Sequence, residues 1–334
     1  MDAPVSVPTN ERLVEWTANC REAPRLDQYL VAAFSEFSRS VVQRLIDAGG
    51  VLVNDKPTKA SYRVRQGDRI RIEKPQPAHP IPVAEDIPLD ILYEDEYLAA
   101  VNKPADMVVH PAKGHWSGTL VNALRFHFGQ LSGVNGDYRA GIVHRLDRDT
   151  SGVILIAKEE QTHRDLSQLF EQRKIFKEYV ALTAGVLDRD SDYIEGRIAH
   201  HPYDRVKMIV SADETDDGKE ALSYYEVIER FRGFSYCRIQ PRTGRTHQIR
   251  VHLASIGCPV LADKVYSGRD RLYLSDLVPG LESARDELLL SRQALHAHRL
   301  RLRHPRRGTI LDLEAPLPPE FQKTLAALRQ YRAR

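Results

Sequence analysis

The chain has 334 residues, of which 42% are hydrophobic and 28% charged, a composition that excludes a disordered or fibrous protein. The length favours two domains, and no apolar run approaches the roughly 20 residues of a membrane-spanning helix. The first residues have neither a basic start nor an apolar core, so we expect no secretory signal and a cytoplasmic protein. The three cysteines are far apart in sequence, which argues against a disulfide framework and against a cysteine zinc site.

Charge is nearly balanced overall, with 48 basic and 46 acidic residues, but it is unevenly distributed. Residues 230–262 contain six arginines and no carboxylate, and the same is true of residues 288–311. Basic stretches of this kind in a neutral protein predict a face that binds a polyanion such as a nucleic acid. The alternative is that these arginines only lie on the solvent-exposed faces of strands and bind nothing.

The N-terminal quarter divides into an arm and a small basic domain. Residues 1–22 show no clear periodicity, and we expect a loose arm there. Apolar residues then recur at helical spacing from Leu26, and Ser38 occupies the N-cap position of a second helix that ends at a glycine pair. Short strands around 51–53 and 69–72 follow. We assign this domain to residues 23–74.

The same segment resembles the S4 RNA-binding domain. The matching residues are Arg25-Leu26-Asp27, Ser38-Arg39-Ser40, Gln43-Arg44-Leu45-Ile46, Gly50–Asn54 and Gly67-Asp68. The resemblance implies that the second helix and the following loop grip structured RNA, which makes Arg39 and Arg44 candidate RNA contacts. The alternative is that these arginines only keep a small domain soluble.

A proline-rich linker is predicted over residues 75–88, because so dense a run of proline cannot continue a helix or a central strand. Beyond it, over 89–331, apolar runs predict strands at 89–93, 98–101, 152–157, 178–186, 222–228, 234–239 and 294–302. Helical patterns lie at 119–128, 161–173, 246–256 and 319–331. Strands outnumber helices and do not alternate regularly with them, so the fold class is α+β.

One polar stretch stands out between two apolar ones, from Gly141 to Gly152. It contains Asp147 and Asp149, each next to an arginine, at the start of a buried strand, where catalytic groups are often found. Two interpretations are open from these residues alone. Either both carboxylates cap turns and pair with the arginines, or one is a nucleophile held ionised by a nearby cation.

The cation for the second interpretation lies in a predicted turn and helix. Thr246 opens the helix after the turn at 241–245, and Ile249, Leu253 and Ile256 are spaced to face the core. Arg250 lies on a different stripe of this well-anchored helix. A guanidinium near a carboxylate favours the charged form and orients it. The alternative is that Arg250 is a solvated helix residue.

Three segments together resemble pseudouridine synthases of the RluA family: His144–Gly152, Lys177-Glu178-Tyr179 and Thr243–Leu253. Downstream residues are similar to the RluD branch, namely His201-Pro202, Arg205, Lys207-Met208 and Arg292–Ala297. The resemblance covers about nine tenths of the chain. It implies an S4-like domain linked to a mixed, largely antiparallel sheet with flanking helices, and isomerisation of uridine to pseudouridine in large-subunit ribosomal RNA.

Carried over to this chain, the resemblance makes Asp147 the nucleophile, Tyr179 the ring that stacks on the target uracil, and Arg250 the ion-pair partner of Asp147. Arg145 is similar to the arginine that enters the RNA stack where the base leaves. His144, Lys103 and Arg245 are further expected RNA contacts. The family usually has glycine where Asp106 stands, and we expect the turn to survive because aspartate tolerates left-handed backbone.

The reaction gains and loses no atom overall, so we expect no cofactor, no nucleotide and no metal. The expected partner is large-subunit ribosomal RNA or a pre-ribosomal particle, and no membrane partner is expected. A monomer is the simplest expectation for the oligomeric state. Two other classes remain open. The protein could be an RNA-binding assembly factor with an idle catalytic domain, or a glycoside-type hydrolase that uses Asp147 with a second carboxylate such as Asp149.

Overall fold

The computed structural model describes residues 13–20, 22–34, 37, 39–73, 81–112, 114–204, 206–211, 218–281 and 286–334. The chain forms two compact units. The first draws its described residues from 1–87, 110–143 and 157–164, and the second from 88–109, 144–156 and 165–334. The expected N-cap at Ser38 and the prolines at 75, 77 and 80 lie outside the described residues.

The N-terminal part of the first unit is a four-stranded antiparallel sheet with two helices. Its elements are β1 (Leu13–Thr17), α1 (Leu26–Ala33), α2 (Arg39–Asp47), β2 (Val51–Val53), β3 (Lys56–Pro57) and β4 (Arg69–Glu73), and the strand order is β1-β4-β2-β3. On β4 the alternation predicted from sequence holds, because Ile70 and Ile72 are fully buried while Arg69 is exposed. Both helices contribute to the same core.

Part of the expected loose arm is instead a strand. Residues 13–17 pair with β4 in register, Leu13 opposite Glu73 and Thr17 opposite Arg69, so the arm prediction is wrong for this segment. The residues of this segment alternate between exposed and more buried side chains, a pattern that favours a strand and that the arm prediction did not take into account. Val14 points into the core, and the Trp16 ring packs edge-on against Phe34 at 5.4 Å between centroids. Residues 1–12 lie outside the described part.

Arg39, an expected RNA contact on α2, has a structural partner in this unit. The Asp27 carboxylate is fully buried and accepts hydrogen bonds from Arg25, from Arg39 and from the Gln43 amide at 2.9–3.2 Å. These donors hold the pKa of Asp27 far below its usual range, against the opposing effect of burial. Arg39 therefore joins α2 to α1, whereas Arg44 is exposed on the same helix.

The first unit also contains α3 (Leu120–His127), which begins at a capping box. The Thr119 side chain accepts from the Asn122 backbone N–H, and the Asn122 side chain accepts from the Thr119 backbone N–H. This helix was expected at 119–128. Helix α4 runs over Glu160–Glu171, close to the expected 161–173.

The second unit is built on a mixed sheet that has ten strands among the described residues, in the order β10-β9-β11-β12-β8-β15-β7-β6-β5, with β16 beside β15. The strands are β5 (Asp90–Glu94), β6 (Leu98–Lys103), β7 (Ser151–Ala157), β8 (Phe176–Ala184), β9 (Ser191–His200), β10 (Met208–Ser211), β11 (Lys219–Phe231), β12 (Phe234–Pro241), β15 (Leu295–Arg303) and β16 (Ile310–Glu314). A two-stranded sheet pairs β13 (Leu272–Tyr273) with β14 (Leu288–Leu290). The helices are α5 (Gln248–Ser255), α6 (Leu274–Leu277) and α7 (Pro319–Tyr331).

The predicted fold class, α+β with a largely antiparallel sheet, is confirmed. Strands β8, β9, β11, β12, β15 and β16 pair antiparallel with their neighbours, whereas β15 and β7 run parallel. All seven expected strands are present, and β9, β10, β13, β14 and β16 were not predicted. The core lies under β8, β11, β12 and β15, where apolar residues of α5 and α7 pack.

The parallel contact between β7 and β15 depends on one glycine. Gly152 has φ +113°, and a Cβ placed there would lie 2.1 Å from the carbonyl oxygen of Ala297. The two strands can therefore approach only because position 152 has no side chain. One residue earlier, the Ser151 hydroxyl is 2.9 Å from Nδ1 of His296.

Candidate active site

Asp147 lies in a loop that is fixed to the sheet just before β7. Upstream, Nε2 of His144 accepts a hydrogen bond from the Leu155 backbone N–H at 2.8 Å, and its ring packs on Phe170 at 4.5 Å between centroids. Burial lowers the pKa of His144 to about 3, helped by the charge of Lys177, so the imidazole is neutral. His144, expected to contact RNA, thus anchors the loop through its ring nitrogen and offers no charge to a phosphate.

The expected ion pair between Arg250 and Asp147 is present. Nη1 of Arg250 donates to Oδ2 of Asp147 at 2.9 Å, although the two residues are 103 positions apart in sequence. The Arg250 residue is 5% exposed, which excludes the alternative of a solvated helix residue. Helix α5 holds it in place through Ile249 and Leu253, which are buried. Ile256, expected to face the core, is 42% exposed because the helix ends at Ser255.

A second carboxylate, Asp263, completes the pair and was not predicted. It is fully buried and binds the other edge of the same guanidinium, with Nε–Oδ2 at 2.6 Å and Nη2–Oδ1 at 2.9 Å. The backbone N–H groups of Val265 and Tyr266 also donate to Oδ1. A bidentate contact of this kind fixes the guanidinium plane, so that Nη1 points at Asp147. The two carboxylates hold the pKa of Arg250 above its usual range despite burial.

His247 and Tyr266 form the next layer of the site. His247 has left-handed backbone, φ 55°, directly before the helix, which therefore begins at Gln248 rather than at Thr246. Its Nδ1 is 3.0 Å from the Tyr266 hydroxyl, and its Nε2 is 4.0 Å from Oδ2 of Asp147. Burial lowers the pKa of His247 and raises the pKa of Tyr266 to about 12. The guanidinium of Arg250 lies 5.1 Å from the Tyr266 ring centroid.

Tyr179 lies on β8, opposite Ile239 of β12, and is half-buried. Burial raises the pKa of its phenol well above the usual range, and the negative charge of Asp147 raises it further. The Tyr179 ring packs against the same apolar core as Ile249 and Leu253, the residues that anchor the helix of Arg250. Asp147, Arg250 and Tyr179, predicted from three separate segments, are thus brought together.

Lys103, expected to contact RNA, is fully buried, and the prediction is wrong for this residue. Its Nζ donates to the carbonyl oxygens of Pro104, Met107 and Arg148 at 2.6, 2.9 and 3.0 Å. Burial lowers its pKa to about 7, and the charge of Arg292 adds to the effect. The ammonium group therefore ties the turn after β6 to the residue that follows Asp147. In that turn Asp106 has left-handed backbone, φ 63°, which is the conformation expected of it. Its carboxylate forms an ion pair with Arg148.

Replacing Lys103 with methionine is expected to destabilise the protein by about 3 kcal/mol, because three buried carbonyl oxygens lose their donor. The slope of log K for RNA binding against log [salt] should be the same in the variant and the parent. Removal of a lysine that contacts a phosphate would instead lower this slope by about 0.7–0.9. Denaturant unfolding and filter binding measure the two quantities. Lys323→Met is the matched control, since this lysine is 41% exposed on α7. A reduced slope with unchanged stability would contradict the positioning role.

The remaining expected RNA contacts differ in exposure. Arg145 is exposed, and in the described part of the chain no carboxylate lies within 4.0 Å of it. It lies two residues before Asp147 in the same loop. Arg245 is half-buried, and its Nε donates to the Glu220 carbonyl at 3.0 Å. Arg145 is thus exposed and without a carboxylate partner in the described part of the chain, whereas Arg245 is partly engaged.

No group of three or more histidine, cysteine, aspartate or glutamate side chains among the described residues could hold a metal ion. No helix in that part of the chain is both long and apolar enough to cross a membrane.

Comparison with known proteins shows the family to which this chain belongs. The family model for RNA pseudouridylate synthase matches residues 97–255, and the S4 domain model matches residues 24–70. The chain is 41% identical to ribosomal large subunit pseudouridine synthase D of Pseudomonas aeruginosa over 92% of its length and 93% of that protein. It is 38% identical to an uncharacterized RNA pseudouridine synthase of Bacillus subtilis over 93% of this chain and 96% of the relative.

A solved structure, human RNA pseudouridylate synthase domain containing 4, superposes with a TM-score of 0.54 at 27% identity. It covers 72% of this chain and 93% of the human one. The chain belongs to the RluA-type RNA pseudouridine synthases that carry an S4 domain, and is an isomerase of that family.

Proposed function

We propose that this protein isomerises specific uridines of large-subunit ribosomal RNA to pseudouridine, acting on the RNA or on a pre-ribosomal particle. The observation that carries the proposal is the ion pair between Asp147 and Arg250, with Tyr179 packed on the core that anchors the Arg250 helix. The substrate class is supported by relatives from Pseudomonas aeruginosa and Nitrosomonas europaea that are named ribosomal large subunit pseudouridine synthase D, each 41% identical over more than nine tenths of this chain.

The reaction breaks the bond between uracil N1 and ribose C1′ and forms a bond between C5 and the same C1′. The hydrogen on C5 leaves as a proton, and N1 gains a proton, so the composition is unchanged. A uracil inside folded RNA must first leave its stack, at a cost of a few kcal/mol. Arg145 offsets part of this cost by placing its guanidinium plane in the vacated space.

Tyr179 then offers an aromatic face to the extruded uracil, with a contribution of about 1–3 kcal/mol for such stacking. Burial keeps its phenol protonated, so the ring that meets the uracil is neutral. Asp147 forms a transient covalent bond to the nucleotide while the base turns, and this bond breaks again once C5 is joined to C1′, so the carboxylate is regenerated. Arg250, itself oriented by Asp263, keeps the attacking carboxylate in a fixed direction throughout.

The organisation of the chain is part of the same proposal. Residues 23–74 form, together with β1, the domain that binds structured RNA, residues 75–88 are the linker, and residues 89–331 are the catalytic domain. The protein acts as a monomer in the cytoplasm and needs no cofactor.

The test is carbodiimide mapping of pseudouridines in ribosomal RNA from cells with and without the gene. We expect one or a few large-subunit positions to lose their modification in the deletion strain. A plasmid copy should restore them, and the Asp147→Ala variant should not. An unchanged map of large-subunit RNA would contradict the proposed substrate. Free uracil together with abasic RNA in a purified reaction would instead indicate a hydrolase.

A further inference from the structure

A pocket of about 270 Å³ opens in the second unit between the end of α4 and the start of β8. Four of its lining side chains are cationic, Arg173, Lys174, Lys177 and Arg242, and no carboxylate lines it. Phe170, Ile175, Phe176, Gln240 and Pro241 form the rest of the wall. The pocket therefore combines an apolar wall with a concentration of positive charge.

In the ranges that the structure describes, no carboxylate lies within 4.0 Å of any of the four cations, although other arginines of the sheet, such as Arg230 and Arg299, have one. Burial lowers the pKa of Lys177, and the charge of Arg173 lowers it further. Like charges held close together cost free energy in folding, and an external anion would relieve that cost.

The pocket adjoins the catalytic loop through two of its walls. The Phe170 ring packs on the His144 ring, three residues before Asp147. Lys177 lies two residues before Tyr179 on β8, so both side chains leave the same face of the strand, roughly 7 Å apart along it. An anion in the pocket would therefore lie about one nucleotide away from a base stacked on Tyr179.

We infer that this pocket is a subsite for a phosphodiester group of the substrate RNA strand, next to the nucleotide that is extruded. The inference rests on the proposed function, because it places the phosphate relative to a uracil on Tyr179. Arg173, Lys174 and Arg242 are exposed, so a phosphate can reach them from solvent, and Lys177 is half-buried in the same lining. Phosphate contacts of this kind fix the register of a strand without reading its sequence.

The test compares the double variant Lys174→Gln/Arg242→Gln with the parent, using full-length protein and a large-subunit ribosomal RNA transcript. Each cation that contacts a phosphate contributes about 0.7–0.9 to the slope of log K against log [salt]. We expect the slope to fall by about 1.5 and the dissociation constant to rise about tenfold at 0.1 M salt. Arg189→Gln is the matched control, because that arginine is exposed and paired with Asp192 at 2.8 Å.

The outcomes separate the subsite from the proposed function. The parent is first assayed for pseudouridine formation, and its failure would count against the proposed function alone. If the parent is active and the double variant matches the Arg189→Gln control in slope and affinity, the subsite is overturned. A further arm adds inorganic phosphate at constant ionic strength. If phosphate raises the melting temperature of the parent but not of the double variant, while RNA binding is equal, the pocket takes a free anion and the RNA assignment is wrong.

Discussion

Replacing Asp147 with alanine is expected to lower the rate of pseudouridine formation by at least about 10⁴-fold, the loss typical of a missing nucleophile. The fold should survive, because Arg250 keeps its bidentate contact with Asp263 when the other partner is removed. RNA affinity should be close to that of the parent. Tritium release from RNA labelled at uracil C5, under single-turnover conditions, measures the rate directly.

The neighbouring carboxylate provides a matched control for this experiment. Asp149 lies in the same loop, and its nearest cations are Lys264 at 3.8 Å and Arg148 at 4.0 Å, so it is paired only loosely. Asp149→Asn is expected to change the rate by far less than Asp147→Ala. If Asp147→Ala released tritium at a rate near that of the parent, Asp147 would not be the nucleophile. Equal losses for both variants would favour a mechanism with two carboxylates.

Arg250→Ala is expected to affect both chemistry and stability. It removes the cation from between two carboxylates and leaves fully buried Asp263 without its main partner, which costs about 3–5 kcal/mol in the free energy of unfolding. It also frees the Asp147 carboxylate to turn away from the substrate, and we expect a loss of about 10³-fold in rate. Denaturant unfolding and single-turnover tritium release measure the two effects on the same preparation.

Two further variants separate these effects. Arg250→Lys keeps the charge but cannot bind Asp263 in a bidentate manner, so it should recover stability more than rate. Arg148→Ala removes a 44% exposed arginine of the catalytic loop, and should cost less than about 1 kcal/mol in stability. Full activity of Arg250→Ala in a folded protein would contradict the positioning role.

The sequence predicted the elements that have strong local patterns. Helix α5 was predicted because Ile249 and Leu253 are spaced to lie on one face, and both are buried in the structure. Strand β7 was predicted because most of its seven residues are aliphatic, and all seven are buried. Strands β9 and β16 were missed because their outward faces are charged and their inward residues few, as in Ile310–Glu314, where only Leu313 is buried. Their pairing with β11 and β15 depends on partners distant in the chain, which local periodicity does not report.

The same contrast applies to the site. Asp147, Tyr179 and Arg250 belong to motifs that the family resemblance identified, and the structure places them together. No sequence motif identifies Asp263. The residue before it, Ala262, has left-handed backbone, φ 54°, a conformation that its residue type does not predict. Lys103 was misassigned because lysine side chains are mostly exposed, and its burial at the end of β6 depends on three carbonyl groups that the fold gathers around it.

The missing side chain at position 152 has a consequence for the length of the catalytic loop. One end of the loop is held by the hydrogen bond between His144 and the Leu155 amide, and the other end lies where the Ala297 carbonyl occupies the space of a side chain at Gly152. Because both ends are held, we expect the insertion or deletion of one residue between positions 144 and 152 to move Asp147 out of reach of Arg250 and to lower the rate of pseudouridine formation.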